Sequence, residues 1–271
     1  MLKIGVAQAD FQVAQREANL AILRGLLDEA AQNGVDVLVL PELANSGYNF
    51  DTPAEAESVA EVVDEGPACR LLREWSVGGR LAVSGLCERA GDALYNSAVV
   101  YAGGELLAVY RKTHLFANES AFFQPGTQKP PVLEFGGHRF GVMICFDWFF
   151  PEVARGLALR GAQIILHPAN LVLPYCQKAM ITRSIENRVF TATANRTGSE
   201  RGLAFSGLSQ VTSPTGDLLA QAGGDLAGVA WAEVDLGQAD DKWVTRQNHL
   251  FNDRRPELYD DLVQAGRRAK I

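Results

Sequence analysis

The chain predicts an α/β fold built as one domain from two similar halves. Three observations carry this reading. A strand, an amphipathic helix and a second strand recur in the same order in each half, the remaining segments read as short strands, and no Pro-, Gly- or Ser-rich linker divides the 271 residues. In the first half, residues 3–8 form a short apolar strand. Residues 17–32 follow with Leu20, Leu23, Leu27, Ala30 and Ala31 at helical spacing, and Gly34 stands where a C-cap is needed. The β-branched run 35–40 then ends at Pro41-Glu42-Leu43. In the second half, residues 140–145 form the strand, Pro151 opens a helix that closes near Gly161, and residues 163–166 lead into His167-Pro168-Ala169-Asn170-Leu171. Glu42 and Asn170 thus leave corresponding strands. Both second strands are almost wholly apolar, as expected of strands covered on both faces.

The other segments fit this frame. Strands are expected over 81–86, 96–101, 106–110, 189–195, 207–213 and 229–234, with a helix over 177–188. Gly103-Gly104 and Thr215-Gly216-Asp217 separate alternating apolar runs as hairpin connections do. The tail after Leu236 is charged and weakly periodic.

Composition narrows the functional classes. With 47% hydrophobic and 21% charged residues the chain can bury a substantial core. A net charge of -7 and the lack of any basic run argue against a nucleic-acid partner. No apolar run is long enough to span a bilayer, and residues 2–6 lack the pattern of a secretory signal, so a soluble cytoplasmic protein is expected. Cys69, Cys87, Cys145 and Cys176 are scattered without metal-ligand spacing, which signals neither a disulfide framework nor a zinc site.

Cys145 differs from the other three. It stands at the junction of a strand and a helix, in GVMICFDWFFPE, where backbone N–H groups and the helix dipole favour thiolate and can receive an oxyanion. A low-pKa thiol there is expected to alkylate faster than the other cysteines; the alternative is a small buried core residue. A nucleophilic thiol needs a base and an electrophilic stabiliser. None of His114, His138, His167 and His249 is well placed to be the base. Glu42 is the leading candidate, because a carboxylate after an apolar strand and a proline is partly desolvated and its pKa rises towards neutrality. Lys112, in YRKTHLF, and Glu119, in ESAFFQPG, read singly as surface residues.

Taken together, LPELANSGY, YRKTHLF, ESAFFQPG and GVMICFDWFFPE with HPANL resemble, in order and over nearly the whole chain, the nitrilase superfamily of carbon-nitrogen hydrolases. The resemblance implies a four-layer α-β-β-α sandwich with an internal pseudo-two-fold, usually dimerised. It also implies a Glu-Lys-Cys triad at Glu42, Lys112 and Cys145, with Glu119 as a second glutamate near the substrate and the Phe146 N–H as an oxyanion donor. No metal or organic cofactor is required. Tyr48, Trp148 and Phe149 are expected along the pocket, with Asn170 and Tyr175 as its far wall; Arg183 and Arg196 are the candidates for holding a charged substrate. The implied reaction is hydrolysis of a small amide to acid and ammonia, with nitrile hydrolysis as the rival. Phe146-Asp147 follows the cysteine where many dedicated nitrilases carry Trp-Glu, which favours amides, although the longer string looks most like a small prokaryotic and archaeal branch that includes aliphatic nitrilases. N-carbamoyl amide hydrolysis, whose branch typically shows Asn-Asp-Arg there, and an inactive binding module are the remaining alternatives.

Overall fold

A computed structural model describes residues 1–264. In chain order the elements are β1 (Leu2–Gln8), α1 (Arg16–Gln32), β2 (Val37–Val39), α2 (Pro53–Val59), α3 (Pro67–Ser76), β3 (Leu81–Ala90), β4 (Ala93–Ala102) and β5 (Glu105–Arg111). There follow β6 (Val132–Phe135), β7 (His138–Val142), α4 (Pro151–Leu159), β8 (Ile164–Pro168), α5 (Cys176–Asn187), β9 (Phe190–Ala194), β10 (Ser199–Glu200), β11 (Leu203–Ala204), β12 (Gln210–Thr212), β13 (Leu218–Gln221) and β14 (Gly228–Val234).

Two six-stranded sheets carry the predicted repeat. Their orders are β14-β1-β2-β3-β4-β5 and β6-β7-β8-β9-β12-β13. Read from these ends, both run antiparallel, parallel, parallel, antiparallel, antiparallel. The unit β1-α1-β2 therefore corresponds to β7-α4-β8, as the matched sequence patterns require. Strands β1 and β2 pack on β8 and β9 of the other sheet. That burial on both faces explains their unbroken apolar runs.

Helices cover the outer faces. Leu23, Leu27 and Ala30 of α1 share a core with Leu72 and Trp75 of α3 and with Leu38, Ala82 and Val99 of the sheet beneath. Trp75 Nε1 donates to the Leu27 carbonyl at 2.8 Å. On the other side α4 packs on β7, and α5 on β9 and β12. The result is the α-β-β-α sandwich. Asp240 closes this unit; a smaller unit follows from Asp241, in which Trp243 bridges to His249.

The structure adds elements that the sequence reading left as loops. Helix α3 buries Ala68, Cys69, Leu72 and Trp75, one face at a period near 3.6, and opens on Pro67; α2 is capped by the Thr52 hydroxyl, which accepts from Glu55 N. Edge strands β6 and β13 are four residues each and neither buries a residue fully, so they lack a periodic signature. The Cys145 junction also differs from expectation. Cys145 opens a five-residue 3-10 turn, Cys145–Phe149, and α4 begins only at Pro151, so the thiol is not at the N-terminus of a full helix.

Candidate active site

Four chain segments meet around Cys145. Glu42 follows β2 at a point where the backbone lies hard against β3: Gly85 N donates to the Pro41 carbonyl at 3.0 Å and Ala44 N to the Gly85 carbonyl at 3.2 Å. A Cβ on Gly85 would stand 2.3 Å from Glu42 Cα, so only glycine permits this approach. Lys112 follows β5. Its N–H donates to the Asn96 carbonyl at 2.8 Å and its carbonyl accepts from Gly126 N at 2.8 Å. Glu119 lies on the 3-10 turn Ala117–Ala121, whose carbonyls receive the following N–H groups of Phe122 and Phe123.

These side chains form a charge cluster cut off from water. Lys112 Nζ lies 2.8 Å from Glu42 Oε1 and 2.7 Å from Glu119 Oε1, with Lys112 and Glu42 fully buried and Glu119 nearly so. Asn96 Nδ2 also donates to Glu42 Oε1 at 2.7 Å, and the Tyr48 hydroxyl to Glu119 Oε1 at 2.8 Å. Each carboxylate thus spends one oxygen on this network. The other, Oε2, is buried and without a hydrogen-bond partner in both residues. Burying an acceptor this way costs about 1–3 kcal/mol, which marks both atoms as places for a proton or a donor to arrive.

The electrostatics set the protonation states. Burial works to lower the Lys112 pKa, but Glu42 and Glu119 outweigh it and hold the ammonium charged, well above the ordinary lysine range. Burial raises the Glu42 pKa, Glu119 adds to the rise, and Lys112 and Asn96 oppose it; the net shift is upward. Cys145 is pushed well above an ordinary thiol by burial first and by Glu42 next, against the pull of Lys112. This corrects the expectation of a low-pKa, fast-alkylating cysteine. At rest Cys145 is a thiol, because burial and two carboxylates outweigh one lysine.

The turn that bears Cys145 is held from three sides. Cys145 itself has φ +39°, a left-handed conformation rare for a side chain with a Cβ. Asp147 Oδ2 accepts from Ile144 N at 2.9 Å and from the Tyr110 hydroxyl at 2.8 Å, while its Oδ1 lies 2.7 Å from His114 Nδ1. His167 Nε2 donates to the Cys145 carbonyl at 3.0 Å, and its Nδ1 accepts from the Thr193 hydroxyl at 3.1 Å. The thiol lies 3.7 Å from the Asn170 carbonyl oxygen, and Asn170 Nδ2 donates to the Glu42 carbonyl at 2.9 Å.

Cys145, Phe146, Trp148 and Asn170 line a small cavity. Phe116 and Val172 also line a second cavity, of about 340 Å³, with Tyr48, Glu119, Phe122, Phe123, Leu203 and Arg201. Tyr48, Trp148, Asn170 and Phe146 thus stand where pocket residues were expected. Tyr175 and Phe149 lie outside both linings and are more than half exposed. Arg183 is held by the Trp148 carbonyl and Glu186, and Arg196 by Asp10 and Glu200. Sequence reading missed Asn96 and Asp147, while His167, set aside there as a base, supports the Cys145 carbonyl. Asp147 lay inside a motif already singled out; Asn96 sits mid-strand with no local signal.

The family model for carbon-nitrogen hydrolases matches residues 3–242. The chain belongs to this family. Among relatives of this carbon-nitrogen hydrolase, a nitrilase of Pyrococcus abyssi is 44% identical over 260 residues, covering 96% of this chain and 99% of its own. A citrullinase of Francisella tularensis is 32% identical, covering 97% and 98%. A solved double mutant of an amidase from Nesterenkonia sp. AN1 in complex with acrylamide superposes with a TM-score of 0.81 at 29% identity, covering 96% of this chain and 97% of that one. The carbon-nitrogen hydrolase fold and the nitrilase-superfamily membership expected from the motifs therefore hold.

Proposed function

We propose that this carbon-nitrogen hydrolase converts small amides to carboxylic acid and ammonia through a thioester on Cys145. One observation carries the reading: a lysine clamped between two buried carboxylates, each with one unengaged oxygen, in electrostatic reach of a neutral thiol.

Each group has a role that its chemistry allows. Glu42 accepts the thiol proton on Oε2 as Sγ attacks the amide carbon; the raised thiol pKa makes this transfer part of the attack, since no thiolate is stored beforehand. The carbonyl π electrons move onto oxygen, and the Lys112 ammonium and the Phe146 N–H stabilise that oxyanion. As the tetrahedral adduct collapses, the C–N bond breaks and Glu42 returns the proton to the departing nitrogen. Water then attacks the thioester with Glu42 again as base, releasing the acid and restoring the thiol. Glu119, through Oε2, accepts from the substrate NH₂ and fixes which lone pair faces Glu42. Trp148 and Asn170 bound the reacting carbon, and Tyr48 holds Glu119.

Nitrile hydrolysis is the second reading, favoured by the 44% identity to the Pyrococcus abyssi nitrilase. A nitrile would pass through a thioimidate whose nitrogen must gain further protons before leaving. The Phe146-Asp147 pair after the nucleophile and the acrylamide-bound amidase of the same fold tilt the choice to amides. The experiment is ammonia release from an amide and the nitrile of the same carbon skeleton. Turnover of the amide supports the reading, and a nitrile kcat/KM about tenfold higher, a barrier lower by about 1.4 kcal/mol, reverses it.

The working form is a homodimer in this reading. Phe149, Tyr175 and Ile185 expose half or more of their surface, and the Cys145–Phe149 turn and α5 that carry or adjoin them pack together. Four free, buried cysteines suit a reducing cytoplasmic setting, and no described helix is long and apolar enough to cross a membrane.

A further inference from the structure

We propose that the cavity lined by Glu119, Phe122, Phe123 and Arg201, which shares Phe116 and Val172 with the small cavity at Cys145, selects amides with apolar acyl chains and rejects those ending in a carboxylate, and that the Glu55–Arg201 pair sets this selectivity. The proposal rests on the amide-hydrolysis reading above and adds the substrate's chemical class.

The argument starts from the cations. Lys112 is committed to Glu42 and Glu119. Arg201, the guanidinium lining the cavity, is committed as well: Nη1 donates to Glu55 Oε2 at 2.7 Å and to the Asn49 carbonyl at 2.9 Å and lies 3.2 Å from Asp51 Oδ2, while Nη2 pairs with Glu55 Oε1. This two-pronged contact is the one an arginine would otherwise offer a substrate carboxylate. The protein's own Glu55 has filled it.

Neither side of the pair is loose. Arg201 and Gly202, with φ +47° and +85°, form the tight turn between β10 and β11, a geometry that fixes where the side chain starts. Glu55 lies in the first turn of α2, where its Oε2 also accepts from Asp51 N at 2.8 Å. Carboxylates outnumber cations here: Glu119 and Arg201 line the cavity, and Asp51 and Glu55 both engage Arg201. An incoming carboxylate would meet repulsion and no free donor fork. The rest of the wall is Phe122, Phe123, Val172 and Leu203, which rewards apolar chain length.

Three five-carbon primary amides that differ only in the far end test this: valeramide, glutaramate (the monoamide of glutaric acid) and 5-aminovaleramide. The wild-type protein is expected to show a kcat/KM for valeramide at least about tenfold above glutaramate, with 5-aminovaleramide, whose ammonium the carboxylates do not repel, above glutaramate as well. A D51N/E55Q variant frees the Arg201 fork and is expected to raise the glutaramate value about tenfold while valeramide stays within about twofold. R201Q supplies a second arm: a committed arginine predicts no loss on glutaramate, whereas an arginine that binds the substrate predicts a fall. Wild-type turnover of glutaramate equal to or better than that of valeramide overturns the selectivity, and glutaramate matching 5-aminovaleramide removes the electrostatic cause. So does a D51N/E55Q variant that keeps its valeramide rate without gaining on glutaramate. Failure on all three amides removes the hydrolase reading itself, a different result from any of these.

Discussion

Asn170 Nδ2 donates to the backbone carbonyl of Glu42 at 2.9 Å, so two residues that leave corresponding strands, β8 and β2, are bonded to each other across the two sheets. The same Asn170 offers its own carbonyl to the Cys145 thiol at 3.7 Å. Asn170 therefore meets the proposed base through its side chain and the proposed nucleophile through its backbone carbonyl. The pseudo-two-fold has a chemical use here: it brings two strand exits from distant parts of the chain to one point.

Replacing Asn170 by Ala is expected to lower kcat about 10²-fold with a smaller change in KM, because small displacements of reacting groups cost rates of that order. The Glu42 carbonyl would also lose its donor, at about 1–3 kcal/mol of stability. Steady-state kinetics beside urea unfolding separates the two effects. A variant less stable by this amount but equally active would show that the link is structural only.

Cys145→Ala is expected to abolish ammonia release with the fold intact, and Cys176→Ala to leave activity nearly unchanged. Rapid quenching should trap an acyl group on the Cys145 peptide, and an adduct on another peptide would remove the assignment. The raised thiol pKa adds a second expectation. Alkylation of Cys145 by N-ethylmaleimide should climb about tenfold per pH unit from 7 to 9, since the thiolate fraction does so below the pKa. A plateau within that range contradicts a thiol held neutral.

How much of this was legible in the sequence depends on the range of the interaction. The β1-α1-β2 and β7-α4-β8 units were legible because apolar period and caps are local, and both strand exits followed from them. Cys145 and Glu42 stood out locally, at strand ends, but Lys112 and Glu119 were legible only through motifs, because the segments that bring Lys112 to Glu42 are 70 residues apart. Asn96 was invisible: nothing near it in the chain says that it faces Glu42. The thiol's protonation state was misread because a strand-to-helix junction was weighed without the burial and the two carboxylates that dominate it. Helix α3 was missed although it opens on Pro67 and buries one face, because its apolar positions are interrupted by Arg70, Arg73 and Glu74.

Light scattering on a dilute sample is expected to give twice the 29.4 kDa chain mass or a multiple of it. The exposed Phe149, Tyr175 and Ile185 are the residues to test, and charged substitutions there should dissociate the assembly. An active species at the single-chain mass would remove the dimer from the reading.

Lys112→Arg is expected to lose more than tenfold in kcat/KM, a barrier rise above about 1.4 kcal/mol, because a planar fork cannot replace a compact ammonium between two carboxylates. Lys112→Met should be worse in both respects. It leaves Glu42 and Glu119 buried without their cation, a loss of about 3–5 kcal/mol for a broken buried pair, lessened as one carboxyl takes up a proton. Retention of a tenth of the wild-type rate in the arginine variant would contradict an oxyanion role.

His167 makes stability depend on pH in a direction that can be fixed. Its Nε2 faces the Cys145 carbonyl, which only accepts, so Nε2 carries the proton and Nδ1 accepts from Thr193. Burial pushes its pKa down from 6.5 to about 4. Above pH 6.5 neither folded nor unfolded chain holds the extra proton and the group contributes nothing to pH dependence. Between 6.5 and 4 the unfolded chain binds it and the folded one does not, so stability falls as pH falls. The full loss is about 3 kcal/mol, of which about 2 kcal/mol appears between pH 6.5 and 5. His167→Gln keeps a donor for the Cys145 carbonyl and an acceptor for Thr193 yet cannot titrate. Urea unfolding at pH 7 and pH 5 should therefore show the wild type losing about 2 kcal/mol more than the variant, other titrating groups being common to both. Equal losses would mean that His167 protonates in place, and that the Cys145 turn tolerates a cation at its back.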